Sequence, residues 1–131
     1  MSSPLPAQLT FFLAPHGGKY TQSQRYRLAA LAEKRCLYLA DNIHKGEIRQ
    51  GFTMTDIQPE NVKLMAVKEA EDGGGLIFRL LETEGRDCEG ELTVCGSVYP
   101  FQIGHHEILT LRYSASGSHK SVREVNLLEE E

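Results

Sequence analysis

Apolar and polar positions along this chain follow two different periods, and the change falls near residue 51. Residues 9–14 (LTFFLA) are an apolar, aromatic run that stops at Pro15-His16-Gly17-Gly18, which predicts a short strand closed by a turn. Further on, Leu28, Leu31 and Ala32 share one helical face, and Arg25, Arg27, Glu33, Lys34 and Arg35 give polar cover. Thr21, with Gln24 three residues later, has the spacing of an N-cap. A helix over 21–39, ended at Asp41-Asn42, is the expectation; a long connection carrying 37–39 as a short strand would use the same residues. From Gly51 onward short apolar runs recur about every dozen residues, bounded by Gly, Asp, Asn or Ser. They predict strands at 52–57, 62–69, 76–83, 90–95, 108–113 and 122–127. In Glu91-Leu92-Thr93-Val94 the alternation turns Leu92 and Val94 inward, and Asp72-Gly73-Gly74-Gly75 reads as a hairpin loop. The expected fold is mainly β: an antiparallel β-sandwich with one short helix or long connection near the N-terminus, with residues 1–131 forming one domain.

Composition narrows the class. A chain of 131 residues, 40% apolar, is long enough for one core without staples and too short for an eight-stranded α/β barrel. Lys and Arg number 14 against 18 Asp and Glu, a net charge of −4, and no basic stripe stands out, which argues against a nucleic-acid partner. No apolar run approaches the roughly 20 residues of a membrane span, and residues 1–8 lack the basic start and apolar centre of a secretory signal, so no membrane partner is expected. Cys36, Cys88 and Cys95 are odd in number and cannot form a fully paired scaffold; a reducing, cytoplasmic setting is expected.

Candidate chemistry is sparse. His16, His44, His105, His106 and His119 hold no HExxH or HxxxH pair, and adjacent His105 and His106 on a strand would face opposite ways, so no metal site is expected. The carboxylates Glu82, Glu84, Asp87, Glu89 and Glu91 read as strand ends and a solvated sheet face in preference to a glycosidase acid/base pair. The tyrosines are scattered and tryptophan is absent, so a sugar platform has little to build on. Arg79 stands out inside the apolar run 76–81, where an unpaired guanidinium would be costly. Lys68, Glu69, Glu71 and Asp72 lie across the proposed hairpin and Glu82 follows on the same strand, so a carboxylate or carbonyl partner is expected. The terminal Glu129-Glu130-Glu131 reads as a frayed end.

Residues 61–82 (NVKLMAVKEAEDGGGLIFRLLE) closely resemble the C-terminal β-sandwich region of the α-mannosidases in glycoside hydrolase family 38. There, a strand ending Lys-x-Ala-Glu-Asp-Gly precedes an apolar strand ending Arg-Leu-x-Glu. Upstream, Phe12-Leu13-Ala14-Pro15-His16-Gly17-Gly18 is similar to the family's apolar-Pro-His-x-Gly segment, and downstream Glu124-Val125-Asn126-Leu127-Leu128-Glu129 is similar to its closing Asn-Leu-Leu-Glu strand. Two features depart: Lys19-Tyr20 stands where an acidic residue and Trp often follow, and Glu33-Lys34-Arg35-Cys36 replaces an Asn-x-Pro. The resemblance implies the accessory C-terminal fragment of a larger enzyme that hydrolyses terminal α-mannosides with zinc. The zinc ligands and nucleophile belong to other regions of that family, so no catalytic, cofactor or metal residue is assigned here. His16, Lys68, Glu71, Asp72, Arg79 and Glu82 are the candidates for structural or interdomain roles. The implied partner is the catalytic domain of the same enzyme, through an apolar docking patch larger than a few hundred Å2. A free-standing carbohydrate-binding module, which would need an exposed aromatic pair in a groove, and a structural interaction module are the alternatives.

Overall fold

The computed structural model describes residues 9–33, 37–43, 45–117 and 119–130; Lys34, Arg35, Cys36, His44 and Glu131 lie outside the described residues. One helix, α1 (Gln22–Glu33), precedes seven strands: β1 (Thr55–Gln58), β2 (Val62–Glu69), β3 (Leu76–Glu82), β4 (Cys88–Val94), β5 (Ser97–Ile103), β6 (Ile108–Ser116) and β7 (His119–Val125). The strands form two antiparallel sheets, ordered β1-β4-β5 and β2-β3-β6-β7. The protein is a β-sandwich with one short helix, as the alternation anticipates.

Period-two burial builds the core. Phe78 and Leu80 from β3, Leu92 and Val94 from β4, Phe101 and Ile103 from β5, and Leu109, Leu111 and Tyr113 from β6 fill the space between the sheets. Leu92 and Val94 are completely buried while Glu91 is exposed. The β2–β3 turn needs its glycines: Gly73 has φ +71° and Gly75 φ +153°, and a Cβ on Gly75 would strike the Tyr113 carbonyl oxygen.

Several expectations are corrected. Residues 9–14 form no strand, because no strand of either sheet pairs with them; Phe11, Phe12 and Leu13 are largely exposed. The helix starts as predicted, with the Gln24 amide donating to Thr21 Oγ1 (3.2 Å) and the Thr21 amide donating to Gln24 Oε1 (3.0 Å), a reciprocal capping box. It is described only to Glu33, and residues 37–39 are neither helix nor strand. Its apolar face does not reach the core: Leu31 is 66% exposed, and Ser23 is the buried residue. Strand β5 was not anticipated, because it follows β4 after only Cys95-Gly96 and contains Pro100, which removes a ladder donor; accordingly it is an edge strand. Cys95 lies in that turn with φ +48°, and His105-His106 form the β5–β6 turn instead of a strand.

Candidate functional site

Strand β3 has buried side chains on both faces. Phe78 and Leu80 enter the intersheet core, so Ile77 and Arg79 point to the outer face of the four-stranded sheet. There Ile77 lies opposite Lys68 on β2 and Arg112 on β6, and Arg79 lies opposite Ala66 and Thr110. Three cations therefore surround a small second core of Ala70, Ile77 and Val125. Cations packed beside an apolar patch, Arg112 buried and Lys68 and Arg79 partly so, require acceptors at hand, and the hairpin and the C-terminal segment supply them.

The C-terminal segment is folded into a turn, which corrects its reading as a frayed end. Asn126 Oδ1 accepts the amides of Leu128 (2.8 Å) and Glu130 (3.0 Å), its carbonyl accepts the Glu129 amide (2.9 Å), and Glu129 takes φ +69°. This turn delivers two acceptors onto the sheet. Arg79 Nη2 donates to the Leu127 carbonyl at 3.1 Å, the kind of partner its position demands. Lys68 Nζ donates to Glu129 at 2.6 Å and also to Glu71, while the Glu71 amide donates to Glu129 Oε2 at 2.8 Å. The Glu129 side chain is consequently only 6% exposed. Its hydrogen bond from Lys68, then that from the Glu71 amide, hold its carboxyl below the usual carboxylate range; the same contact with Glu129, followed by Glu71, raises the Lys68 ammonium.

Asp72 answers the third cation. Arg112 Nη2 lies 2.7 Å from both Asp72 oxygens, and Asp72 Oδ1 also accepts the Gly74 amide at 2.8 Å. The pair clamps the hairpin onto β6, and the Arg112 guanidinium lowers the Asp72 carboxyl.

Glu82 occupies the far end of β3, completely buried. Its Oε1 accepts Asn61 Nδ2 (2.8 Å) and the Glu84 amide (2.8 Å); its Oε2 accepts the amides of Gly85 (2.7 Å), Arg86 (3.2 Å) and His106 (3.0 Å). Burial alone pushes the carboxyl up, but the hydrogen bonds from Asn61, His106, Glu84 and Gly85 outweigh it and bring it down to about 2. The carboxylate ties the 83–87 loop to the β5–β6 turn. Ser23 Oγ donates to Glu84 at 3.0 Å and so attaches the helix to this end. His16 stands apart from these clusters, stacked on Tyr20 with ring centres 4.4 Å apart.

The arrangement therefore unites Lys68, Glu71 and Arg79 through the C-terminal turn, sets Asp72 beside them through Arg112, and keeps Glu82 and His16 separate. Asn61, Arg112 and Glu129 are missing from the predicted set. Arg112 carries the signal that singled out Arg79, a charge inside an apolar run, and Glu129 is the last residue of the Asn-Leu-Leu-Glu segment.

Chemically the network holds charge without poising it. A glycosidic general acid needs a raised carboxyl pKa, whereas the shifts of Asp72, Glu82, Asp87 and Glu129 are all downward. Among the described residues no three His, Cys, Asp or Glu side chains converge as metal ligands. A groove of about 820 Å3 beside Phe101 is rimmed by Gln58, Glu89, Glu91, Gln102 and Glu124. It has no exposed aromatic pair: the edge-to-face Tyr99 and Tyr113 rings, 6.1 Å apart, are engaged with the core.

The family of glycosyl hydrolases family 38 C-terminal beta sandwich domains matches residues 61–131, more than half the chain. The chain belongs to that family. The matched region runs from Asn61 through the C-terminal turn, so it contains both the clasp at Lys68, Arg79 and Glu129 and the Glu82 hub. No curated protein and no solved structure matches the chain. Among the described residues, no helix is long and apolar enough to cross a membrane.

Proposed function

We propose that this chain is the non-catalytic C-terminal sandwich of an α-mannosidase, acting on terminal α-mannosides only as part of the intact enzyme. The observation that carries this reading is the family match over residues 61–131, joined to a polar network in which the charges are committed to holding the domain together. The chemistry of zinc, which polarises and orients the sugar, belongs on this reading to the catalytic part, and this domain contributes by packing against it. A reducing, cytoplasmic enzyme is in keeping with Cys88 and Cys95, which are both free thiols.

Deleting the domain from the intact enzyme tests this. Expected are a lowered midpoint of thermal unfolding for the remainder and reduced turnover of an aryl α-mannoside. Unchanged unfolding and turnover would contradict an accessory role.

A further inference from the structure

Three strands of one sheet face four of the other. Strand β1 runs into β2 through Pro59, and Tyr99 of β5 meets Tyr113 of β6 edge to face, so β7 lies past the last strand of the smaller sheet. Its inner face is accordingly uncovered: Val122 packs against the core yet is only partly buried, and Glu124, on the same face and opposite Leu111, is exposed. The free edge of β5 borders this stretch. The Cys95 amide donates to the Met54 carbonyl at 2.8 Å, continuing the β1–β4 register, so Glu91 and Thr93 turn their backbone groups to β1 while Gly90, Leu92 and Val94 turn theirs to β5. Their partners there are Phe101, Tyr99 and Ser97. The N–H and C=O of Val98 and Gln102 and the C=O of Pro100 are therefore directed off the sheet. Pro100 agrees with this phase, because a missing N–H costs a ladder bond at the alternate positions and none here. Val98, Pro100 and Gln102 are all exposed, and among the described residues no strand pairs with this edge.

We infer that the β5 edge takes an added strand: an extended segment of another polypeptide, bearing lysine or arginine, that hydrogen-bonds to Val98, Pro100 and Gln102. This goes beyond the accessory-domain reading and does not rest on it. The unpaired main chain carries the binding, as in other strand additions to an open sheet edge. Charge selects the occupant. Glu89, Glu91 and Glu124 line the groove along this edge, Asp87 and Glu107 line its continuation, and neither lining contains Lys or Arg. Period two places successive side chains of an added strand alternately over β7, where Glu124 stands, and on the outer face of the smaller sheet, where Glu89 and Glu91 lie opposite Gln102 and Pro100. A second copy of β5 is the wrong occupant, since two such edges would bring their carboxylates together and each would offer the other a proline without an N–H. The other edges are less open to a new strand: β1 has four residues, β2 is interrupted by a bulge at Met65, and β7 leads into the C-terminal turn.

The test is titration of the 15N-labelled 131-residue chain with a capped heptapeptide alternating Lys and Val, beside its Glu-for-Lys counterpart and a version N-methylated at alternate residues. Expected with the Lys peptide are saturable shifts of the Val98 and Gln102 amides, exchange at those amides slowed by about tenfold or more at saturation, and binding that rising salt weakens. Glu124→Lys should weaken binding by about fivefold or more. Val98→Pro should abolish it while leaving the urea midpoint nearly unchanged, because it removes an N–H that points off the sheet as Pro100 already does. Equal binding of the Glu or N-methylated peptide would reduce the effect to attraction without strand addition and overturn the proposal. No response at Val98 and Gln102, or a response confined to β2 or β7, would overturn it as well. Protection of these two amides by self-association, without peptide, would make a second copy the occupant and refute the cationic partner.

Discussion

Replacing Glu82 by Gln should be the most costly single-atom change in the domain. The carboxylate accepts five hydrogen bonds, two on Oε1 and three on Oε2, and it is completely buried. Glutamine keeps the shape but has one acceptor and one donor group. If its oxygen takes the Gly85, Arg86 and His106 side, its NH2 group confronts the Glu84 amide and Asn61 Nδ2. Asn61 can turn its amide over, but then it withdraws Oδ1 from Arg86 Nη2, 3.3 Å away. At least one buried N–H is left without an acceptor, at about 1 to 3 kcal/mol, and charge-assisted bonds become neutral ones, so a total near 3 kcal/mol is expected. The pH dependence gives an independent figure. Glu82 falls from the usual 4.5 to about 2 on folding, which corresponds to about 3 kcal/mol. Because the folded value is the lower one, this stability is present above pH 4.5 and disappears as pH falls toward 2. Urea titrations at pH 7 and across pH 5 to 2, on wild type, Glu82→Gln and the exposed control Glu91→Gln, read both figures. Glu82→Gln should lose about 3 kcal/mol at pH 7 and show a shallower loss of stability between pH 4.5 and 2 than wild type. A cost under about 0.5 kcal/mol, or an unchanged acid slope, would refute the hub.

Three further outcomes follow from the clasp and the turn. Arg79→Met should cost about 1 kcal/mol and Arg79→Ala about 2 kcal/mol, since Met keeps the packed stem while either loses the bond to the Leu127 carbonyl; equal, negligible losses in urea would show Arg79 to be merely solvated. Glu129→Ala should speed hydrogen exchange at the Glu71 amide by about tenfold or more while leaving core amides unchanged, and unaltered exchange there would dissolve the clasp. As pH falls, Glu129 and Asp72, both held low by their cations, should keep the clasp closed below the ordinary carboxylate range; following the Lys68 ammonium and both carboxyls by NMR checks this, and ordinary titration of either acid would contradict it.

How much of this was legible in the sequence depended on whether a residue's environment is local. Strand β2 has the predicted bounds, and β3 differs by one residue, because period-two alternation and a glycine turn are properties of neighbouring residues. The partner of Arg79 could be anticipated in kind, since an apolar strand cannot carry a bare charge. Its identity could not, because the Leu127 carbonyl is 48 residues away and is placed by Asn126. Glu129 was misread for the same reason: three consecutive glutamates at a chain end look solvated until the turn that buries one of them is known. Residues 9–14 failed as a strand because apolar character makes a segment fit for burial without supplying the sheet edge that would pair with it.

The accessory-domain claim is tested most directly by turnover. The purified 131-residue chain, with and without added zinc, is assayed on an aryl α-mannoside beside the intact enzyme at equal molarity. No turnover above background is expected from the chain in either condition, because the Asp72, Glu82, Asp87 and Glu129 carboxyls are all held low and no convergent metal ligands are found among its described residues. Turnover within a factor of about 100 of the intact enzyme, where each tenfold step is about 1.4 kcal/mol of barrier, would contradict it and direct attention to the carboxylates rimming the Phe101 groove.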